Sequence, residues 1–403
     1  MNKTQENDEP TNSGKWKLPF SGKLKIDFFF LFAVIALLNF VIWTVGWLLC
    51  GDNFSHPKDW LLFWNTANLT ASGDFDKLYP GITPNLPFVY PPYFPFFSYF
   101  LSFLTRSHAY IAIVIFSSTM MILALLVLRK ISKINRSDFL KFSIISLSSA
   151  SWLLIPPLGH ISSLYLFLIC AGLKLRMLQK PRCSGLILSL LMLKPNIGII
   201  FPCLFLLHSE LRMLMGWGVG FGSLLLLPFC FSKSLWGNYL AATSKIGSLI
   251  SIIPPWKHHT LHAFIRSILP LNFQEYVFGA WIICIVPLVF LCFYVWYKCK
   301  NSESCFPRLF GIATLTIIVC NPYFHHYDAI LVTLPAYIWF TNKEQYHRNG
   351  LYRIIGLGFL LAFMIQQVSV LYIQDGLSLV SLPLTIALIA DSTDLMTCGV
   401  AHH

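Results

Sequence analysis

A few polar residues stand in otherwise apolar sequence, and their types suit acid–base work beside a phosphate. Asp59 directly precedes the amphipathic stretch Trp60 to Ala71, in which Trp60, Phe63 and Trp64 suit a membrane interface. A carboxylate there can cap free backbone N–H groups. It can equally be a base held at the membrane–water border. Lys194 sits beside Pro195 inside the apolar run 183–209. His160 follows the turn Pro156-Pro157-Leu158-Gly159, and His325 and His326 lie in the stretch Asn321 to Asp328. The segment 232–275 carries Lys233, Lys245, Lys257, His258, His259, His262 and Arg266, with Glu275 as its one acid. A carboxylate can take a proton from an attacking hydroxyl, while cations neutralise the charge growing on a departing phosphate.

These residues need a membrane scaffold. The chain has 403 residues, of which 56% are hydrophobic and 11% charged; soluble chains carry about 25% charged residues. The runs 28–51, 107–128, 213–232, 276–297 and 354–374 contain no Asp, Glu, Lys or Arg. Each is close to the roughly 20 residues that cross a bilayer as a helix. The fold class is an all-α polytopic integral membrane protein. The net charge of +12 does not indicate nucleic acid, because the basic residues lie in short segments between apolar runs, as in cytoplasmic loops. The eleven Cys are scattered, without a CxxC, and read as small apolar residues.

About twelve spans are expected, with a range of 9–13. They are 27–50, 107–128, 140–156, 161–178, 183–193, 195–208, 213–231, 276–297, 309–321, 326–341, 353–372 and 377–390. A basic tail, 1–25, precedes one transmembrane domain, 26–403, with external loops 51–106 and 232–275. Within the first loop, Trp60–Ala71 and 92–105 are expected as interfacial helices. The run 183–208 is either one span with Lys194 buried at its centre or a hairpin turning at Lys194-Pro195. A lysine at the bilayer centre costs about 3 kcal/mol, which favours the hairpin. The hairpin also puts most of the 29 Lys and Arg on the side of the N-terminal tail. Both termini are then cytoplasmic, and Asp59, His160, Lys194, His325 and His326 share the outer face. Two bland alternatives stand beside this one. Lys194 could snorkel to lipid headgroups, and the basic 232–275 loop could contact lipid phosphates.

Neither a dinucleotide fingerprint nor a P-loop is present, so a donor would be membrane-borne. His258-His259 with His262, and His325-His326 with Asp328, match no metal signature. No metal or cofactor is expected. The chain resembles the bacterial GT-C-type enzymes grouped as glycosyltransferase family 87, over roughly residues 52–340. The resemblance is carried by Asp59-Trp60, Gly73-Asp74-Phe75 with Leu78-Tyr79, and Phe88-Val89-Tyr90-Pro91-Pro92. It continues in Pro157-Leu158-Gly159-His160, where His160 replaces the family's Gln, in Leu193-Lys194-Pro195, and in Asn321-Pro322 with His325-His326-Tyr327.

That resemblance implies a GT-C fold in the bacterial cytoplasmic membrane with its active site on the external, periplasmic side. It implies inverting transfer of a hexose, mannose being the best-known donor sugar, from polyprenyl phosphate to a glycolipid, glycan or protein acceptor. Asp59 would be the general base. The donor side would comprise Lys194, His325, His326, Arg266, Tyr90 and His160. The competing class is a secondary transporter or flippase of an anionic or lipid-linked substrate, which broken helices also suit. The topology is checked by cysteine labelling from outside the cell. Ser55→Cys and Tyr323→Cys should both react, and Ser302→Cys should not; labelling of the first two from opposite sides would remove the shared face.

Overall fold

Proline and polar breaks decide how this apolar chain is divided into helices. A computed structural model describes residues 34, 41, 59–79, 90–132, 134–244, 254–300, 302–342, 349–372 and 378–400. The tail 1–25, nearly all of the first expected span, Asp52 and residues 245–253 lie outside the described residues. The described chain is helical, and its one β feature is an isolated bridge between His258 and His325.

Among the described elements, the helix α1 (Asp59–Ser72) is followed by the short α2 (Phe94–Ser98) and a 3₁₀ stretch, Tyr99–Phe103. Both fall where the sequence predicts helices. Trp60, Phe63 and Ala67 of α1 are buried, and the Trp64 indole N–H donates to the Leu104 carbonyl at 3.0 Å. Phe100 and Phe103 point outward. Next come α3 (Arg106–Ile131), α4 (Arg136–Leu147) and α5 (Ala150–Leu158). The bundle continues through α6 (Ser162–Met177), α7 (Pro181–Ser189), α8 (Pro195–Gly198), α9 (Ile200–Leu207) and α10 (Leu211–Leu226). The remaining helices are α11 (Ser234–Thr243), α12 (Leu261–Ile268), α13 (Val277–Lys298), α14 (Phe306–Cys320), α15 (Thr333–Thr341), α16 (Asn349–Tyr372) and α17 (Ser381–Val400).

Among the described residues, five helices are long and apolar enough to cross a bilayer. They lie within 106–131, 211–230, 272–298, 303–320 and 350–367. The pair α4–α5, bent by 55°, makes a sixth if taken as one span. The described residues thus give five or six such helices against the twelve expected, and apolar helices too short for the test, within 94–103, 181–193 and 195–207, stand beside them. The central element is α14, buried from Phe306 to Cys320, whereas α13 exposes Ile283 and Phe290.

Long-range bonds show where the chain reverses. At the end of α6, the Arg176 guanidinium binds Glu210 at 2.6 Å and Glu303 at 3.5 Å. Positions 176, 210 and 303 therefore share one end of the bundle. A straight helix through residues 181–207 would separate its ends by about 40 Å at 1.5 Å per residue. The segment instead leaves this end and returns to it, with Lys194 at the far turn. A 3₁₀ stretch, Leu190–Leu193, leads into Lys194, and Pro195 opens α8. The single-span alternative is thereby excluded. The outgoing limb α7 packs on α10 at backbone distance. A Cβ on Gly185 would lie 1.9 Å from the Met213 carbonyl oxygen, and one on Gly216 would lie 2.0 Å from that of Arg182. Small residues permit such close approach in membrane bundles. At the Arg176 end, Arg308 of α14 is fully buried and binds Asp391 of α17 at 2.6 Å and Asp394 at 3.1 Å.

At the opposite end, Gly159 closes α5 in the left-handed region, φ +63°. Its N–H bonds the Pro156 carbonyl, and His160 N–H bonds that of Ile155, a glycine-type helix stop. A Cβ here would lie 2.4 Å from Cβ of Trp60. The position thus excludes other residues twice, and it seats α1 against His160. Gly159→Ala should destabilise the protein by at least the roughly 1–2 kcal/mol of a left-handed L-residue. An unchanged thermal unfolding midpoint in detergent would contradict this seating.

Candidate active site

The site lies at the end opposite Arg176 and is assembled from five separated segments. Its centre is Asp328, three residues after His325 in the 3₁₀-entry turn that follows α14. Asp328 is fully buried. Its Oδ2 accepts from the Lys194 ammonium and from the His325 N–H at 3.2 Å. Its Oδ1 accepts from the Ser162 hydroxyl at 2.5 Å. Lys194 is 6% exposed and lies between the Tyr165 and Tyr327 rings. It is therefore an internal ion-pair lysine, and the snorkelling alternative fails. The turn carrying it is fixed by an amide clamp. Asn321 Nδ2 donates to the Asn196 carbonyl at 3.0 Å, and Asn196 Nδ2 to that of Tyr323 at 2.8 Å.

His160 is reached through Ser162. The backbone N–H of Ser162 donates to His160 Nδ1 at 3.1 Å. Nδ1 also lies 2.7 Å from the Ser162 hydroxyl oxygen, and Nε2 faces the Tyr90 hydroxyl at 3.3 Å. Burial holds this imidazole far below the usual histidine range, at about 3. Its ring stacks on Tyr327 at 3.9 Å. Tyr90 is held by the Tyr79 hydroxyl, which donates to its carbonyl at 3.1 Å. Tyr93, close by in sequence, donates its hydroxyl to the Met192 carbonyl at 2.6 Å, two residues before Lys194.

Asp59, the first residue of α1, is half-buried and meets the same cluster. Burial pushes its carboxyl up to about 7. The Lys194 ammonium pulls it down, the Asp328 charge adds to the rise, and a hydrogen bond with Tyr327 restrains it. A carboxyl that titrates near neutrality, hydrogen-bonded and beside a cluster of polar groups, is suited to exchange protons with a hydroxyl.

The remaining expected residues divide. His325 stacks on His258 at 4.7 Å and lies 5.0 Å from Tyr327. His326 Nδ1 bonds the Lys257 carbonyl at 3.2 Å. Both therefore border the cluster. Arg266 lies on α12, and its charge is felt at His258 and His262. The central residue that sequence reasoning passed over is Asp328, which it mentioned only beside the adjacent histidines, as a set matching no metal signature. Among the described residues no three His, Cys, Asp or Glu are grouped to hold a metal ion. The useful signal was an acid next to an apolar run that faces a lysine in another apolar run; such charges are stable only as partners.

The model of glycosyltransferase family 87 matches residues 88–322. No curated protein and no solved structure matches the chain.

The Asp59 environment has a direct spectroscopic consequence. Its protonated carbonyl band should be visible by difference infrared spectroscopy below pH 7, fade above it, and be missing in Asp59→Asn. In the unfolded chain this carboxyl titrates near 4. Between about pH 4 and 7 only the folded state keeps the proton, so stability falls as pH rises and levels off above 7. Asp59→Asn should therefore raise the unfolding midpoint more at pH 8 than at pH 4. A band midpoint near pH 4 would contradict the assignment.

Proposed function

The chain belongs to glycosyltransferase family 87 and is thereby a membrane glycosyltransferase; from that premise we propose that it moves a hexose, mannose first among candidates, from polyprenyl phosphate to a hydroxyl acceptor with inversion. The observation that carries this reading is the half-buried carboxyl of Asp59, raised to about 7 beside the Lys194–Asp328 pair and a layer of imidazoles. Asp59 takes the acceptor proton as the acceptor oxygen attacks the anomeric carbon. The bond from that carbon to the phosphate oxygen breaks, and its electron pair leaves with the lipid monophosphate. One displacement inverts the anomeric centre. Lys194, His325 and His326 face the phosphate, and the fixed Lys194 ammonium acts on the charge that gathers there. Tyr90 and His160 border the sugar side.

Asp328 adds a positioning role. It fixes the Lys194 ammonium and, through Ser162, the position of the His160 ring. Lys194 is then less a free phosphate anchor than a charge held in place. In this reading the helices that span, together with the shorter passes, make about twelve crossings. The site lies outside the bacterial cytoplasmic membrane, and both termini lie inside.

Proteoliposomes loaded with labelled polyprenyl-phosphate hexose test the reaction. Label should appear in a new glycosidic bond and should depend on Asp59. Asp59→Asn should fold, bind donor and lose roughly 10²–10⁴-fold in turnover, the usual worth of a positioned base. Normal turnover would leave the reaction without this base. Movement of the labelled lipid across the bilayer with no new bond would instead favour a flippase.

A further inference from the structure

Two histidines beside the site are in an unusual state. His258 and His259 are 2% and 1% exposed, and none of their four ring nitrogens meets a partner at full hydrogen-bond geometry among the described residues, although the His258 backbone draws the His259 ring weakly towards protonation. Buried polar atoms in native structures nearly always have partners, so each exception needs an explanation. Loose packing is not the reason. The segment is stitched down by the backbone bridge from His258 to His325, by His259 N–H to the Phe324 carbonyl at 3.1 Å, and by the Ser378 hydroxyl on the His258 carbonyl.

The surroundings specify what is missing. The His258 ring lies 4.7 Å from that of His325 and 5.2 Å from that of Tyr323. The charged and titratable groups whose field reaches it are His326, His262, Arg266 and Lys194; for His259 they are His326 and His258. All are neutral or cationic, so the local field opposes a further positive charge and favours an anion. Burial and these neighbours hold both imidazoles at about 3, neutral at ordinary pH. A neutral imidazole has one N–H to donate, and it becomes a double donor when an anion restores its affinity for a proton. A tetrahedral anion with several acceptor oxygens and a proton affinity close to that of histidine fits such a wall. A phosphate monoester, with its second pKa near 6, is such an anion.

We propose that His258 and His259 form a receiving site for a phosphate monoester, next to His325, and that the site takes up a proton from solvent when the phosphate enters. Resting on the reaction proposed above, the ligand is the lipid phosphate left after the sugar departs. The bond-breaking step creates its second negative charge, and the imidazole pair accepts the product after Lys194 and His325 have faced it during transfer. Protonation of the pair balances the new charge without any metal or nucleotide.

The test is calorimetric titration of the full chain in nanodiscs with farnesyl phosphate and with inorganic phosphate, at pH 7 in two buffers of different ionisation enthalpy. Wild type should take up about one proton per ligand. His258→Phe with His259→Leu replaces the orphaned rings by apolar shapes. The ligand-free unfolding midpoint should stay or rise, while farnesyl phosphate affinity falls at least roughly tenfold and proton uptake disappears. If that variant loses stability, His258→Gln with His259→Gln keeps polar side chains, and it should bind more weakly than wild type and without proton uptake. Binding with undiminished affinity or uptake in either variant would overturn the site. Farnesyl phosphate binding at least roughly tenfold tighter than inorganic phosphate assigns the anion to the lipid carrier; equal binding assigns it to free phosphate. The titration contains no sugar or acceptor. A protein that binds but never transfers would therefore defeat the proposed reaction and leave this site standing.

Discussion

The buried pair of Lys194 and Asp328 is the constraint from which the rest of the active end follows. Two charges removed from water lose several kcal/mol of hydration each, and they are tolerated only with good geometry and further hydrogen bonds. Asp328 has these. It receives Lys194 on one oxygen together with the His325 N–H, and Ser162 on the other. Removing one partner of such a pair typically costs about 3–5 kcal/mol. The pair therefore holds the turn between α7 and α8 against the loop after α14. Because Ser162 is shared with His160, it also sets the neighbouring imidazole. Tyr327, one residue before Asp328, closes the ring by stacking on His160 and bonding Asp59.

Much of this was legible in the sequence, for reasons that can be named. Local chemistry was readable: Pro195 beside Lys194 breaks a helix wherever it stands, and Pro156-Pro157 followed by Gly159 ends one. The start of α1 at Asp59 followed from the amphipathic stretch behind it. A lysine in the middle of an apolar run favoured the hairpin over a single span, and the Arg176–Glu210 bond bears this out. Pairing across the chain was not readable. Lys194 and Asp328 are 134 residues apart, and nothing in either neighbourhood names the other. The state of His258 and His259 was hidden for the same reason, since burial of a ring nitrogen is a property of the assembled loops. The division into five or six long helices and several short ones was blurred because composition alone does not show where a 3₁₀ turn interrupts an apolar run.

The electrostatics of the assembled end differ from the picture suggested by a chain of net charge +12. The histidines that look like cations in the sequence are held neutral by burial at His160, His258 and His259. Lys194 is matched by Asp328. The basic residues that dominate the count lie largely elsewhere. What gathers around Asp59 is a hydrogen-bonding cluster in which the buried ammonium is matched by a carboxylate and the imidazoles are neutral. Such an arrangement avoids the standing cost of a bare cationic cluster in a low-dielectric bundle, and still supplies positive charge when an anion arrives.

The contact of Arg308 with Asp391 and Asp394 has a consequence for how the molecule is made. Arg308 lies in the central helix α14 and is fully buried, yet its carboxylate partners stand 83 or more residues later, in α17. During synthesis at about 5–20 residues per second, the guanidinium leaves the ribosome several seconds before either carboxylate. Until they arrive, it must stay near water or borrow a partner. The heart of the bundle therefore cannot close in the order in which it is translated. Assembly is held open from the far side of the sequence, and α17 acts less as an accessory than as the latch that allows the central helix to settle.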